Sequence, residues 1–597
     1  MIAVMKAGAR QQDPKMKSIL RSSLSVLASI WALSSVAAQA QTREEIQRDL
    51  LDPSLQAQGQ SVAVDSEVTR PACPLAGEEF ADLKFTFTGA NFTGLEAIGS
   101  DFVAPAYLDL IGNELSVAAI CDIRDQASDI LRDAGYLAVV RVPVQEIDDG
   151  RVDFNIVLAR MTGVQIRGDA GNSAKALQQY VNKLTEQPVF NVNQAERYLL
   201  LARDIPGLDV RLLMQPAPPE SGARPGDVIG IFNVIRDPVQ FDATVQNFGS
   251  QSVGRVGAFG RVRFNGLTGL ADQTTISLYS TADIQEQNVV QIGHDMKLGG
   301  DGFTLGGNLT FAWSQPDIVG DDLFESETFI GTIYAAYPFK RTQTSNIYGR
   351  IGFELIDQEV EFSGLALTED QLRIGFARIE FNSIDAASLG GAGGYSSIEP
   401  KFGLAGAVEM RQGLGVLGAS EACGVGFVNC IAPNVVPPSR LDGDPTGFVV
   451  RGEAQIDYRP SPEFLIRMRP RFQYSPDALL GYEQVSGGNY TSGRGFDPGA
   501  VIGDSGFGGQ IELAYGSLVP QVPGGRAFQP YVFFDLMSVS INNLPGQQDI
   551  SSLGGGLRAS LGRSIYLDVF GAVPLERAPF QVERGDFRLL ATLSVQL

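Results

Sequence analysis

Apolar and polar residues alternate strictly along much of the C-terminal half of this chain. Residues 448–458 and 464–474 show the pattern most clearly, with apolar side chains on one face of a predicted strand and polar or charged side chains on the other. The apolar faces hold Phe448, Val450, Ala454, Ile456 and Tyr458 in the first segment and Phe464, Ile466, Met468 and Phe472 in the second; the polar faces hold Arg451, Glu453, Gln455 and Asp457, and Arg467, Arg469, Arg471 and Gln473. A period of two residues predicts β-strands with two different environments.

Segments of this kind follow one another from about residue 241 to 597, and many have ten or more residues. Strands of soluble sheets average about five or six residues, whereas strands that cross a membrane need about nine to eleven. The pattern therefore predicts a membrane barrel with its apolar face toward lipid and its charges in a wet lumen. We predict sixteen strands, beginning near residues 240, 253, 272, 286, 302, 327, 344, 370, 403, 446, 462, 505, 528, 550, 564 and 586. An even number brings both ends of the barrel to the same side of the membrane.

The connections between these strands sort into short and long ones. Residues 459–463 and 562–564 are predicted short turns on the periplasmic side. Long connections are predicted in the 320s, in the 360s and at 415–445 and 476–504 on the extracellular side, with one exception at 386–402 on the periplasmic side.

Two α+β units are predicted before the barrel, at residues 80–159 and 160–236. The first has strands at 83–88, 137–144 and 152–158 and a helix at 115–131; the second has strands at 163–166, 208–214 and 228–234 and helices at 174–184 and 192–202. Helical spacing of apolar residues gives way to alternation within each unit, which is what a helix packed on a small sheet requires.

The N-terminus has the three parts of a secretory signal peptide, which we predict to occupy residues 1–40. Lys15, Lys17 and Arg21 precede an apolar run at 24–36, and Ala38-Gln39-Ala40 follows it. The run is shorter than the ~20 residues that a membrane-spanning helix needs. Residues 41–79 are predicted to form a short helix at 42–56 and a linker.

Composition limits the chemistry. A net charge of −22 argues against nucleic-acid binding, which needs a basic surface, and no phosphate-binding glycine loop indicates a nucleotide site. Four cysteines fit an oxidising compartment, where Cys423 and Cys430 are close enough to close a small loop and Cys73 and Cys121 flank one unit. None has the spacing of a zinc site, and no cofactor is predicted.

A glycine-rich stretch at residues 483–506 carries the most specific motifs. It opens Glu483-Gln-Val-Ser-Gly-Gly, continues through Arg494-Gly495-Phe496 and ends Gly503-Asp504-Ser505-Gly506. This stretch resembles the inward-folded loop of two-partner secretion transporters, the outer-membrane proteins that export filamentous hemagglutinins and hemolysins. Three other motifs resemble segments of the same family: Pro143-x-Gln145 with Gly150 and the 160–168 strand, Asp204-Ile205-Pro206-Gly207, and Phe533-Phe534-Asp535.

The resemblance implies a 16-stranded antiparallel transmembrane β-barrel in the outer membrane, preceded by two periplasmic POTRA domains. It implies that loop 476–504 folds into the lumen and that Arg494, with Gly495 and Phe496, is held by Asp535 on the barrel wall, where Phe533 also faces inward. Met537 stands where the family has glycine. Asp504 and Glu483 are weaker candidates for a role in the mechanism, because acidic residues in exposed barrel loops are common and need no special role.

The function implied is export of one large, unfolded exoprotein, captured through its N-terminal secretion domain by the POTRA units, with outer-membrane lipid around the barrel. Strand edges at 84–88 and 208–214 are candidates for binding an extended chain, through Lys84, Phe85, Thr86, Leu208, Val210 and Leu212. Simple packing within the units would explain these strands equally well.

Three alternatives stay open. A passive porin would share the barrel but has no need for residues 80–236, and an assembly factor of the same superfamily generally has more POTRA units. A hydrolase would need His294, the only histidine, which lies beside Asp295. Nothing near His294 resembles a nucleophile motif, so we expect no enzymatic activity and a structural, lumen-facing histidine.

Overall fold

The structure is a computed structural model that describes residues 41–47, 73, 75, 80, 83–316, 323–522, 524–562, 564–579 and 581–597. The predicted signal peptide at 1–40 and most of the predicted helix at 42–56 lie outside the described residues. From that predicted helix the structure has α1 (Arg43–Ile46), whose first turn is capped by Thr42 and Glu45. None of the described helices has the length and hydropathy needed to cross a membrane.

Unit 1 packs one long helix on a small sheet. Its elements are β1 (Lys84–Thr86), β2 (Gly89–Thr93), β3 (Glu114–Ser116), α2 (Ala119–Asp133), β4 (Ala138–Arg141) and β5 (Arg151–Leu158), with 3-10 turns at Ser100–Ala106 and Leu108–Leu110. In the main sheet β5 lies between β2, which is parallel to it, and β4, which is antiparallel. Fully buried apolar residues from α2 and β5, such as Ile123 and Phe154, form its core.

The predicted start of the helix in unit 1 is wrong. Residues 114–116 form β3, which pairs with β1 through Phe85 and Leu115, and α2 begins only at Ala119. Leu115 and Val117 fit a helical spacing because they pack against the same core, but they reach it from a strand and its end. The strand β2, with glycine at its start, was not predicted.

Unit 2 has the same plan with two helices. Its elements are β6 (Arg160–Gly168), α3 (Ala174–Thr185), α4 (Val192–Arg203), β7 (Leu208–Pro216) and β8 (Asp227–Arg236). Strand β8 lies between β6 and β7 and runs parallel to β6. Asn191 caps α4 by accepting hydrogen bonds from the backbone N–H groups of Asn193 and Gln194, so the helix starts at that residue.

Sixteen antiparallel strands form a closed barrel, which confirms the predicted number. They are β9 (Val239–Gln246), β10 (Gly257–Asn265), β11 (Gln273–Thr281), β12 (Gln287–Leu298), β13 (Phe303–Ser314), β14 (Phe324–Arg341), β15 (Ser345–Phe362), β16 (Leu365–Ile384), β17 (Phe402–Gly413), β18 (Phe448–Ser461), β19 (Phe464–Tyr474), β22 (Ser505–Tyr515), β23 (Arg526–Ser540), β24 (Gln548–Leu561), β25 (Ile565–Pro574) and β26 (Arg588–Gln596). Two short strands outside the barrel order, β20 (Val485–Gly487) and β21 (Val501–Gly503), pair with each other between β19 and β22. Closure comes from β26, which pairs with β9 and so leaves no open sheet edge.

The alternation along the strands separates an outer apolar face from a charged lumen. Met468 and Phe472 are exposed on the outer face of β19, whereas Arg467 is buried on the inner face. On β23, Val532 is exposed and Phe533 is 2% exposed. The barrel is therefore built to meet lipid outside and to hold charges inside.

The predicted long connection in the 360s is wrong. Strands β15 and β16 have 18 and 20 residues and are joined by a tight turn at Ser363 and Gly364, both at positive φ. Acidic residues near this turn resemble a loop in sequence, but along the end of β15 they alternate with apolar residues, and Phe362 contacts Phe324 on the neighbouring strand β14. The strands therefore continue well past the length needed to cross a membrane.

We call the barrel end beside units 1 and 2 the near end and the opposite one the far end. The long connection at 385–401 lies at the near end, as predicted, and begins with a short helix, α5 (Ala386–Leu389). Asp385 caps α5 by accepting from the backbone N–H of Ser388 and also accepts from that of Phe402, which fixes both ends of the connection.

Candidate functional site

The segment from 475 to 504, which we call the inner loop, folds back into the lumen between β19 and β22. Strands β20 and β21 form its stem, and Val485, Phe496 and Val501 are buried with the wall residues Met537 and Ile550. The loop therefore fills the lumen instead of projecting from the far end.

Arg494 lies near the middle of the inner loop and contacts a carboxylate on the wall. Its Nε donates to Asp535 Oδ2 at 2.9 Å and its Nη2 to Oδ1 at 2.7 Å, which is a bidentate pair. Its backbone N–H also donates to Oδ2 at 2.9 Å, and Nη1 donates to Glu512 at 2.7 Å. The guanidinium carbon lies 3.5 Å from the centroid of the Phe533 ring. Arg494 is 6% exposed and Asp535 is fully buried, so these interactions are shielded from water.

The residues after Arg494 fit the wall closely. A Cβ at Gly495 would lie 2.8 Å from Pro574 N and 2.9 Å from Ser552 Cβ, so no side chain fits there. Phe496 packs into the apolar cluster that includes Met537. Although Met537 has a long side chain, the loop still approaches the wall because residue 487 is glycine, whose Cβ would lie 3.2 Å from Met537 Cβ.

Sequence analysis missed the wall residues that orient Glu512. Arg558 on β24 donates to Glu512 at 3.0 Å and to Asp568 at 3.2 Å, and Tyr531 donates to Asp568 at 2.8 Å. The signal was present in the sequence, because strand alternation turns Glu512 and Arg558 inward. Their pairing depends on strand register, which alternation does not specify.

Glu483 attaches the inner loop to a different part of the wall, so its description as an exposed loop acid is wrong. Arg411 on β17 donates to both of its carboxylate oxygens, at 2.9 and 2.7 Å, and Glu483 is 5% exposed. Arg411 also contacts Glu354 at 3.2 Å and Glu409 at 3.4 Å. The loop thus bridges the lumen between β17 and β23.

Asp504 is likewise buried, which corrects the expectation that it lies exposed. Nη1 of Arg440 donates to both of its oxygens, at 2.8 and 2.7 Å, and the backbone N–H groups of Leu479 and Asn542 donate at 2.9 and 2.7 Å. Burial alone would lower the pKa of Arg440, but hydrogen bonds to Asp442 and Asp504 raise it above its ordinary value. Arg440 comes from the long 414–447 connection at the far end, so that connection is fastened to the base of the inner loop.

Residues 41–47 also lie inside the barrel, beside the inner loop. Glu44 accepts hydrogen bonds from Arg471 on β19 at 3.2 Å and from Ser486 of the loop at 2.9 Å. Ile46 is 1% exposed and packs in a cluster with Tyr482. The first turn of the predicted N-terminal helix therefore shares the lumen with the inner loop.

The four cysteines are paired as Cys73 with Cys121 and Cys423 with Cys430. The first disulfide lies at unit 1 and the second within the 414–447 connection. The disulfide of the connection closes a small loop on the far side of the barrel.

The two predicted binding edges differ. Lys84, Phe85 and Thr86 pair with β3 in a separate two-stranded sheet, so they are not the edge of the main sheet in unit 1. In unit 2, β7 pairs with β8 alone among the described strands, so its other edge is open. Because Leu208, Val210 and Leu212 are buried in the core, that edge presents backbone groups and not these side chains.

His294 does not face the lumen, which corrects the prediction. It lies on the outer face of β12 opposite Thr274, whose hydroxyl is 2.9 Å from Nδ1. Asp295 points the other way and accepts a hydrogen bond from Tyr334. The histidine and the neighbouring carboxylate therefore cannot act together. Within the described part of the chain, no group of three or more His, Cys, Asp or Glu residues is arranged to hold a metal ion.

Part of this chain is similar in sequence to known proteins. Residues 364–559 match the model of the haemolysin secretion/activation protein family ShlB/FhaC/HecB. The heme/hemopexin transporter protein HuxB of Haemophilus influenzae (strain 86-028NP) is 22% identical over 221 residues, which cover 36% of this chain and 38% of that protein.

Solved structures share the fold over nearly the whole chain. CdiB from Escherichia coli has a TM-score of 0.66 at 14% identity, covering 99% of this chain and 100% of that one. CdiB from Acinetobacter baumannii has a TM-score of 0.64 at 16% identity, covering 95% and 99%. BamA from Haemophilus ducreyi, lacking POTRA domains 1–3, reaches 0.50 at 13% identity over 85% of this chain and 100% of that one.

We expect the Glu483→Gln variant to loosen the stem of the inner loop while the barrel stays closed. A neutral amide loses the charge-assisted bonds to Arg411, which are worth roughly 1.5–3 kcal/mol. Amide hydrogens at 481–487 should then exchange about ten- to a hundredfold faster, measured by hydrogen–deuterium exchange.

Glu453→Gln is the matched control, because Glu453 is a half-exposed lumen carboxylate that pairs with Arg378 at 3.0 Å. It should leave exchange at 481–487 unchanged. Equal exchange in wild type and in Glu483→Gln would show that the loop does not depend on this attachment.

Proposed function

We propose that this two-partner secretion transporter carries an unfolded, hemolysin- or adhesin-like exoprotein through its barrel to the cell exterior, with the inner loop as a removable stopper. The observation that carries the proposal is the filled lumen of a closed outer-membrane barrel, where Arg494 pairs with Asp535. A stopper held by polar contacts closes the pore at rest and can still be displaced by a competing chain.

The filled lumen counts against a passive porin. The inner loop and residues 41–47 pack together there, with Tyr482 fully buried and Ile46 1% exposed. A porin needs a permanent water-filled channel, and it has no use for two folded units at the near end.

An assembly factor of the same superfamily is the second candidate, and the fold shared with BamA keeps it open. The matches to the haemolysin secretion/activation family and to HuxB favour secretion instead. The heme/hemopexin transport in the name of HuxB is a property of that protein. For this chain, the proposed cargo is a class of protein, the hemolysin- or adhesin-like exoproteins.

The open edge of β7 in unit 2 is the proposed binding site for the exoprotein. Backbone hydrogen bonds to an extended segment provide affinity with little demand on side chains, which suits an unfolded chain. The exoprotein would present its N-terminal secretion domain to this edge. Folding outside the cell then gives direction, because a chain that buries its apolar surface there cannot easily return.

Unit 2 is attached directly to the barrel mouth, which supports delivery from this unit into the pore. Asp204, just after α4, accepts two hydrogen bonds from Arg341 at the near end of β14, at 2.8 and 2.7 Å. Arg197 donates to the backbone oxygen of Pro338 at 2.8 Å. These contacts hold the segment Asp204-Ile205-Pro206-Gly207 against the near end of the barrel.

Secretion should depend on Arg494 and fail in the Arg494→Ala variant. Without its cation, Asp535 has no salt bridge among the described residues, which costs roughly 3–5 kcal/mol. The inner loop then has no fixed position on the wall and obstructs the path of the exoprotein through the lumen. The measurement compares proteins released into the medium by cells that lack this chain and by cells complemented with wild type or with Arg494→Ala at matched barrel levels. One large protein should be absent in the first, restored in the second and strongly reduced in the third.

Arg255→Ala is the control for loss of an arginine near the loop. Arg255 contacts Asp497 at 3.4 Å in an exposed pair, and Arg588 holds the same carboxylate at 2.8 Å. Exposed pairs contribute about 0–1 kcal/mol, so secretion should persist. An identical set of released proteins with and without this chain would favour the porin or the assembly factor.

The Asp204→Asn variant should release unit 2 from the barrel and lower secretion several-fold without opening the lumen. Arg341 is 4% exposed and would lose its bidentate partner. Protease cleavage between unit 2 and the barrel should become faster. Glu186→Gln tests the exposed pair with Lys183 in the same unit, away from the edge of β7, and should change neither readout. Normal secretion with accelerated cleavage in Asp204→Asn would show that docking is not needed for delivery.

A further inference from the structure

The pocket around the Arg494 guanidinium is built entirely from the barrel wall. Asp535 and Phe533 lie on β23 and Glu512 lies on the adjacent strand β22. The hydroxyl of Ser552, on the other neighbouring strand, lies 3.5 Å from Asp535 Oδ2. Since none of these residues belongs to the inner loop, the pocket persists when the loop moves away.

The departure of Arg494 leaves the two carboxylates in different states. Glu512 keeps Arg558, whose Nη2 lies 2.9 Å from Oε2. Among the described residues, Asp535 has no salt bridge except the one with Arg494. Asp535 is fully buried while the inner loop is in place; after the loop leaves, it is a wall carboxylate that faces the lumen without a counter-ion, so the empty pocket attracts a replacement cation.

The geometry of the pocket selects the kind of cation. Asp535 accepts two parallel hydrogen bonds, Glu512 accepts a third from the other side, and the Phe533 ring lies 3.5 Å from the guanidinium carbon. A planar guanidinium meets all three demands at once. An ammonium group has neither the fork nor the flat face.

We propose that this pocket is a guanidinium-binding site that receives arginine side chains of the passing exoprotein once the inner loop has left. This inference rests on the proposed function, because it needs a chain in the lumen. Arg494 is tethered beside the pocket and has the advantage of a high effective concentration, so a foreign arginine displaces it only at a high concentration of its own, which a chain threaded through the barrel or a concentrated solution of a free arginine derivative provides. Each bound arginine keeps Arg494 from returning, and the lumen stays open while the chain passes.

The test measures binding of L-argininamide to the purified full-length Arg494→Ala variant in detergent micelles. The readout is the midpoint temperature at which the barrel loses its heat-modifiable mobility in gel electrophoresis. Argininamide should raise this midpoint at a concentration roughly tenfold lower than lysinamide at equal ionic strength. The difference should vanish in Arg494→Ala/Asp535→Asn. Equal responses to the two amides, or an argininamide effect that persists without Asp535, would overturn the proposal.

A second measurement uses wild type and does not depend on the folding of a variant. In planar lipid bilayers, argininamide competes with Arg494 and should lengthen channel openings several-fold relative to lysinamide. Identical gating in the two amides would contradict the proposal. Both readouts lack an exoprotein, so a negative result here together with normal secretion would reject the guanidinium site and leave the proposed function standing.

Discussion

The ion pair between Arg494 and Asp535 fastens the inner loop to the barrel wall inside the lumen. A charged side chain enters the interior of a barrel at great cost unless a partner meets it, and here the partner is a fully buried aspartate that accepts three hydrogen bonds from the same residue. Removing Arg494 leaves Asp535 without a salt bridge among the described residues, whereas removing Asp535 leaves Arg494 with Glu512 alone. The pair therefore fixes the position of the inner loop more strictly than apolar packing would, because packing tolerates small shifts and a bidentate pair does not.

The remaining attachments divide the loop between opposite parts of the wall. Glu483 binds Arg411 on β17, and Asp504 binds Arg440 from the far-end connection. Breaking the Glu483 attachment costs less free energy than breaking the Arg494 attachment. Arg411 keeps Glu354 and Glu409 nearby, whereas Asp535 keeps no cation in the described part of the chain. From this asymmetry we expect the Arg494 attachment to contribute most to the free energy of opening. Glu44 contacts both Arg471 on the wall and Ser486 of the inner loop, so we expect movement of the loop to break a contact of residues 41–47 as well.

The barrel could be predicted from the sequence because its alternation is local. A period of two residues indicates each strand. The largest error among the predicted first residues of the barrel strands is at Leu365, where the strand was predicted to begin near residue 370. The pairing of Arg494 with Asp535 was predicted from family resemblance, and its role in gating stays a prediction. Buried partners such as Arg411 for Glu483 and Arg440 for Asp504 lie 72 and 64 residues away, and only the register of the strands and the folding of the far-end connection bring them together. The outward direction of His294, in contrast, is contained in the alternation of β12, where it shares a face with Val290, Ile292 and Met296.

The most direct measurement of loop displacement during export is a reversible cross-link between the inner loop and the wall. A Cβ at residue 487 would lie 3.2 Å from Met537 Cβ, close to the ~3.5–4.5 Å separation in disulfides, and 2.7 Å from Val501 Cγ2. Gly487→Cys/Met537→Cys can therefore be oxidised once the Val501 side chain shifts. We expect the oxidised double variant to retain a closed barrel and to release no exoprotein, and a reductant to restore release. Each single variant and wild type, treated alike, control for the substitutions and for reduction of the native disulfides. Undiminished release from the oxidised double variant would contradict the claim that the inner loop must leave the wall.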